Sequence, residues 1–215
     1  MRDNAAGERS GHGPTTCGAV ILGAGFGRRF GSDKRIAQLG EHTVAEHTVA
    51  RYAEVFDIVR VVIREEDHHL AELLQRFDVE IVRTHDAHLG MGHSLAAGID
   101  GVSWGWAFIA LLDMPFISHA SLRELRQRAA ALDHPAIIRP RYDKAPQTTA
   151  HPIGFHAAFF DELGRCQGDT GARAVLQNHA SDVIEVFTSD PGTVRDIDAP
   201  EDLSDSDQAP ATNHT

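Results

Sequence analysis

At 215 residues, with 42% apolar and 24% charged positions, the chain is long enough for one well-filled α/β domain and short for two. A formal net charge of -11 argues against general binding to nucleic acid or to anionic membranes. No apolar run approaches the length that spans a bilayer, and the two cysteines, Cys17 and Cys166, have neither metal-like nor redox spacing. Residues 1–16 are polar, Gly-rich and without the apolar core of a signal peptide, so a disordered tail and a cytoplasmic location are expected. A single domain is expected over 17–203, followed by a short polar tail over 204–215. The histidines are scattered, and His68 and His69 are adjacent rather than on one helix face, which speaks against a histidine metal site.

The first element is the apolar run Ala19-Val20-Ile21-Leu22, bounded by glycines, which reads as a buried parallel strand. Gly23-Ala24-Gly25-Phe26-Gly27 follows. Closely spaced glycines let a backbone turn tightly and present N–H groups to an anion. Arg28, Arg29 and Lys34 then place fixed positive charge beside that backbone in an otherwise acidic chain. Together these residues outline a polyphosphate cradle. A dinucleotide fingerprint is excluded, because the third glycine comes one position early and Arg28 stands where glycine or alanine belongs. A P-loop is excluded because Asp33-Lys34-Arg35 is not Gly-Lys-Ser/Thr.

Further along, helix periodicity runs from Thr43 to Phe56. Ile58–Ile63 reads as a strand, and Leu70, Leu73, Leu74 and Phe77 mark a helix. Val79–Val82 is a third strand. Gly90 and Gly92 make a turn ahead of a small-residue helix, where Ser94 either caps the helix or bonds a ligand. Trp106–Leu112 is a strongly apolar strand ending in Asp113-Met114-Pro115. A carboxylate at that position stands where open α/β sheets bind ligands, or else it caps the helix near Ser118. Leu122, Leu125, Ala129 and Leu132 mark that helix. Ala136–Ile138 is a short strand, Arg139–Ala150 reads as an irregular polar loop, and Phe159, Phe160 and Leu163 suggest a helix. Asp169 or Thr170 starts the helix carrying Ala174–Leu176. Ile184–Phe187 and Val194–Pro200 read as the last two strands. This alternation predicts an α/β protein with a mostly parallel sheet.

Five segments, in order, resemble the MobA-like nucleotidyltransferases, and among them the molybdenum cofactor cytidylyltransferase branch. They are Leu22-Gly23-Ala24-Gly25 with Arg29-Phe30-Gly31 and Lys34; Gly90-Met91-Gly92-His93-Ser94-Leu95; Leu111-Leu112-Asp113-Met114-Pro115; Ala150-His151-Pro152-Ile153-Gly154-Phe155; and Gly168-Asp169-Thr170-Gly171-Ala172-Arg173. The closing Asp196-Ile197-Asp198-Ala199-Pro200-Glu201-Asp202-Leu203 is similar to a further family segment. Gly23, Ala150 and Ala199 depart from the family's alanine, glycine and threonine.

The resemblance implies a three-layer α/β/α sandwich with a Rossmann-like sheet of the nucleotide-diphospho-sugar transferase type. It implies nucleotide binding by Leu22, Gly23, Ala24, Gly25, Gly27, Arg29, Lys34, Gly90, Gly92, Ser94 and Asp113. Asp113, with Asp198 or Asp169, would hold Mg2+, Asp198 being favoured over Asp196 as nearer the strand's end. Arg29, Lys34 and Asp113 would be the catalytic groups. His151, Pro152 and Arg173 would contact the acceptor, Arg173 as a phosphate clamp or as a partner for Asp169. The implied reaction transfers a nucleoside monophosphate, CMP from CTP, to a molybdopterin-type acceptor and releases pyrophosphate. Two alternatives stay open. One is a sugar phosphate or other small phosphorylated acceptor. The other is a non-catalytic insertion chaperone that binds the cofactor and a client molybdoenzyme.

Overall fold

The computed structural model describes residues 15–25 and 30–203. The expected tails lie almost wholly outside the described residues, as do Gly27, Arg28 and Arg29 of the cradle.

The first strand, β1 (Cys17–Leu22), is buried at all six positions. Its side chains alternate between two cores, as strand geometry requires. Cys17, Ala19 and Ile21 enter one apolar cluster, and Val20 and Leu22 enter the other. A small hairpin follows, β2 (Gln38–Leu39) with β3 (His42–Thr43). Helix α1 (Val44–Ala53) starts with a capping box, in which Thr43 accepts from the Glu46 N–H and Glu46 accepts from the Thr43 N–H. Then come β4 (Ile58–Arg64), α2 (His68–Leu74), β5 (Glu80–Thr84), α3 (Met91–Ile99), β6 (Trp106–Leu111), α4 (His119–Ala130) and β7 (Ile137–Tyr142). The remainder is β8 (Ile153–His156), α5 (Phe160–Leu163), α6 (Arg173–Asn178) and β9 (Val183–Thr188).

Seven strands form one sheet in the order β5-β4-β1-β6-β8-β7-β9. All pairs are parallel except those of β8, which runs antiparallel to both β6 and β7. Residues of α1, α2 and α4 pack in the first core, while those of α3, α5 and α6 pack in the second. The result is the expected three-layer α/β/α arrangement. Helix α3 approaches the sheet closely because residue 98 is glycine: a Cβ there would lie 2.6 Å from a Val20 methyl and 2.8 Å from one of Val62.

Several expectations are corrected. Residues 194–200 form no strand. After a 3-10 turn at Pro191–Thr193 the chain is irregular, and its backbone bonds go to Asp113 and Asp202 instead of a neighbouring strand. Residues 139–142 are not loop but the second half of β7, paired in register with β9. Ser94 is not a cap. Helix α3 begins at Met91 behind Gly90, whose φ of +114 suits only glycine, and Ser94 lies inside the helix. Asp169 and Thr170 do not cap α6, whose N-cap is Ala172 without a side-chain bond. Ser118 does cap α4, accepting from the Ser121 N–H, so Asp113 is not needed for that role.

Candidate active site

The chain passes from β1 to β4 and β5 on one side, then returns to place β6 on the other side of β1. Leu22 and Leu111 are register partners at the carboxyl ends of these two strands. This is the reversal point at which doubly wound sheets leave a crevice. A cavity of about 940 Å3 opens there. Its walls include Leu22 at the end of β1 and residues 23–25 beyond it, residues 33–35, Ala87 and His88, Gly90, Met91 and Ser94 around the start of α3, Asp113 after β6, and Asp169 and Asp198.

The cationic and anionic groups meet in the middle of this crevice. Lys34 Nζ lies 2.7 Å from Asp113 Oδ2 and 2.9 Å from Asp198 Oδ1. Burial works to lower the Lys34 pKa, but hydrogen bonds and charge from the two carboxylates outweigh it and hold the ammonium above its ordinary value. Asp113, Asp196 and Asp198 bring one carboxylate oxygen each to within 4.8 Å of one another. Burial, with the like charges of Asp198 and Asp113, raises the Asp196 carboxyl above the usual carboxylate range. Asp113 Oδ1 is buried and has no hydrogen-bond partner. Oxygen donors grouped this way, one of them buried and unpaired, fit a hard divalent cation such as Mg2+ or Mn2+.

The geometry of the trio has a local cause. The Ile197 N–H donates to the Asp113 carbonyl at 2.9 Å, and the Ile197 side chain is buried with Phe30, Leu39 and Val44. One apolar residue thus pins the irregular segment to the end of β6, with an acid on either side of it. Asp202 accepts from the N–H groups of Asp198 and Ala199, both at 2.8 Å, and fixes the turn beyond.

The cradle is held by a residue that no motif singles out. Arg35 is 4% exposed. Its Nη1 donates to the Gly23 carbonyl at 2.5 Å and to Asp67 at 2.6 Å, while Nη2 reaches Asp67 at 2.8 Å and Asp33 at 2.6 Å. Nε donates to Asp33 at 2.8 Å, which satisfies all five guanidinium donors. Arg64 donates to the same Asp67 at 2.7 Å. Arg35 therefore ties the end of β1, the turn bearing Lys34 and the entry to α2 into one unit. Burial opposes ionisation of Asp67, but the two guanidinium groups prevail and hold its carboxyl at about 2. In the sequence Asp67 closes the acidic group Glu65-Glu66-Asp67 after β4, and nothing there links it to position 35.

Leu22, Gly23, Ala24, Gly25, Lys34, Gly90, Ser94 and Asp113, expected at the nucleotide, all line the cavity. Gly92 lies within α3, where a Cβ would come within 2.6 Å of the Gln167 backbone, so close packing explains the glycine. Asp169 lines the cavity against Gly90, but Asp196 and not Asp169 completes the acidic trio. Arg173 is exposed, outside the lining, with no ion pair to Asp169 among the described residues. His151 is half-buried, with its Nδ1 buried and unpartnered. Burial lowers its pKa more than a backbone bond at Ile109 and the charge of Asp113 raise it. Pro152 is buried behind it, after a cis peptide bond. Arg139 and Arg141 both pair with Glu185 on β9.

A family model, the MobA-like NTP transferase domain, matches residues 19–183. The chain belongs to this nucleotidyltransferase family. No curated protein sequence matches it. Among solved structures it is similar to Rv0371c from Mycobacterium tuberculosis H37Rv, with a TM-score of 0.75 and 24% identity over 89% of this chain and 96% of that one. The same mycobacterial protein has also been solved in complex with manganese, at a TM-score of 0.63 and 24% identity over 80% of this chain and 88% of that one. A Methanothermobacter nucleotidyl transferase matches with a TM-score of 0.74 and 20% identity over 88% of this chain and 94% of that one. The molybdopterin-guanine dinucleotide biosynthesis protein A of Archaeoglobus fulgidus matches with a TM-score of 0.62 and 20% identity over 89% of this chain and 97% of that one. These likenesses establish the shared fold. No helix among the described residues is long and apolar enough to cross a membrane.

Proposed function

We propose that the protein transfers CMP from CTP to the terminal phosphate of a molybdopterin-type acceptor and releases pyrophosphate. The observation that carries the transferase chemistry is the meeting of Lys34 with Asp113 and Asp198 beside the Gly23–Gly25 backbone at the β1/β6 reversal. A phosphate nucleophile is already ionised and needs no protein base. Catalysis then rests on positioning and charge stabilisation. Residues 23–25 would cradle the phosphates, and Lys34 would neutralise charge growing on the leaving pyrophosphate. Asp113 and Asp198, with Asp196 beside them, would hold Mg2+ or Mn2+. When bound, that ion would polarise the phosphoryl oxygens and orient them for in-line attack. Arg29 would add a second cation, His151 and Pro152 would border the acceptor, and Asp169 and Arg173 would act at the outer rim.

A second acceptor reading is favoured by one specific observation. Arg139 and Arg141, the basic residues on the strand that leads toward His151 and Pro152, are both paired with Glu185. A smaller phosphorylated acceptor, such as a sugar 1-phosphate, needs fewer free cations there.

The test is pyrophosphate release with CTP, GTP, ATP and UTP, each with Mg2+ or Mn2+, against the molybdenum pterin and a set of sugar 1-phosphates. Release with CTP and the pterin alone supports the first reading. Release with sugar phosphates and none with the pterin supports the second. Tight pterin binding with no release under any triphosphate would instead identify an insertion chaperone.

A further inference from the structure

Lys34 carries out a task that the transfer reaction does not require of it. An ammonium and a divalent metal both seek carboxylate oxygens, and in this structure the ammonium already holds them. Lys34 Nζ bridges Asp113 Oδ2 and Asp198 Oδ1 at 2.7 and 2.9 Å, taking one oxygen from two of the three acids in the trio. The Lys34 and Asp113 side chains are 13% and 20% exposed, so little water screens that contact, while Asp198 at 49% is open to solvent. Asp113 Oδ1, on the other branch of the same carboxylate, is left without a partner.

We infer that Lys34 is the resident cation of the acidic trio, and that it excludes a bare metal ion until a nucleotide's phosphates give the ammonium another partner. The inference rests on the metal reading above. Its physics is that of two cations competing for one set of oxygens. A divalent ion at the trio would sit within a few ångströms of the ammonium, and at that separation, with little solvent between, like charges repel strongly. The ion must therefore displace Lys34, and a displaced ammonium in this part-buried crevice needs a new anion. Among the described residues Asp33 and Asp67 are committed to Arg35, Asp196 belongs to the trio itself, Asp202 accepts from the N–H groups of Asp198 and Ala199, and Asp169 stands beside Gly90. Phosphate oxygens lying on the Gly23–Gly25 backbone would supply the new anion. Lys34 thus makes metal entry dependent on nucleotide and keeps three like charges assembled in the meantime. The same exchange moves the ammonium from the carboxylates to the phosphates, where it is useful for transfer.

The decisive measurement is Mn2+ binding without nucleotide, followed by water-proton relaxation, for the unsubstituted protein and for Lys34→Met and Lys34→Gln. Both variants should bind Mn2+ about tenfold tighter or more, since the competing cation is gone. Circular dichroism and the unfolding midpoint establish that each variant is folded. A measurement on the unsubstituted protein guards against failure of the variants. Saturating Mn2+ should increase acylation of Lys34 by acetic anhydride, read by peptide mass spectrometry, because the side chain leaves its shielded position. Equal or weaker Mn2+ affinity in folded variants, or Lys34 labelling unchanged by the metal, overturns the inference and leaves the metal site standing. Absence of Mn2+ binding in all three proteins overturns the metal reading and this inference with it.

Discussion

Arg35 and Asp67 form a buried bidentate pair, with Nη1 to Oδ2 at 2.6 Å and Nη2 to Oδ1 at 2.8 Å. Asp67 is the far end of the clamp that fixes the Gly23 carbonyl. Its carboxyl titrates at about 2 in the folded protein against an ordinary 3.8. A carboxyl depressed on folding contributes stability that is complete above the unfolded pKa and is lost as pH falls through the folded one. The window is therefore from about pH 4 down to about pH 2, and the contribution is about 2 kcal/mol. Urea unfolding across this range should show that acid limb, and Asp67→Asn should flatten it. Asp67→Asn also leaves a buried guanidinium short of its partner and should cost about 3–5 kcal/mol near neutral pH. An acid limb that survives in Asp67→Asn would place the titration elsewhere.

The clamp also bears on substrate. Arg35→Lys keeps the charge but cannot reach Gly23, Asp33 and Asp67 at once. The cradle and Lys34 would then lose their mutual register. In steady-state assays well below the unfolding midpoint, KM for the triphosphate should rise by about tenfold, with a smaller change in kcat. A fall in both parameters tracking lost folded protein would make Arg35 purely structural.

Gly23 stands where the related motif has alanine, and the structure supplies the reason. A Cβ at residue 23 would run into the Leu112 side chain, which is 1% exposed. Gly23→Ala should destabilise by about 1–3 kcal/mol through overpacking. Leu112→Ala alone should cost about 2–5 kcal/mol. Adding Gly23→Ala to Leu112→Ala should cost little, so the double-mutant cycle should return a favourable coupling of about 1–3 kcal/mol. Additive losses would show that the two side chains do not compete for space.

Lys34→Ala and Asp113→Ala address the transfer step. Each should lower kcat by about 10²–10³-fold with the fold preserved, as expected when one preorganised charge is removed from a phosphoryl-type transition state. The pair should be non-additive, because each residue holds the other. Turnover near that of the unsubstituted protein in either variant would remove that residue from the mechanism.

Much of this was legible in the sequence where one residue type has few physical uses. The all-apolar run of β1, the glycines after it, Lys34, and Asp113 at the end of β6 each declared their place. The misread parts share a cause: their partners are distant in sequence. Arg139-Pro140-Arg141-Tyr142 looks like a polar loop until Glu185 on the neighbouring strand is known to pair with both arginines. Val194–Pro200 alternates as a strand does, but Ile197 is buried in a small cluster beside the hairpin and not against a sheet neighbour. Arg35 carries no periodic or motif signal at all. Its importance comes from three acceptors on segments up to thirty-two residues away.

The single reversed strand has a further effect. Because β8 runs against β6, Ile153 pairs with Ile109 near the end of β6, and the residues just before Ile153 reach the sheet on Asp113's side. The connection from β7 to β8 consequently ends on the same side as the Lys34–Asp113 pair without belonging to the sheet or to either core. Its ends are tied to the frame by backbone bonds, Asp143 N–H to the Thr188 carbonyl and His151 N–H to the Thr193 carbonyl. Under the proposed transfer, residues 143–152 would therefore be a segment in which a different recipient could be accommodated without moving the carboxylates or the lysine.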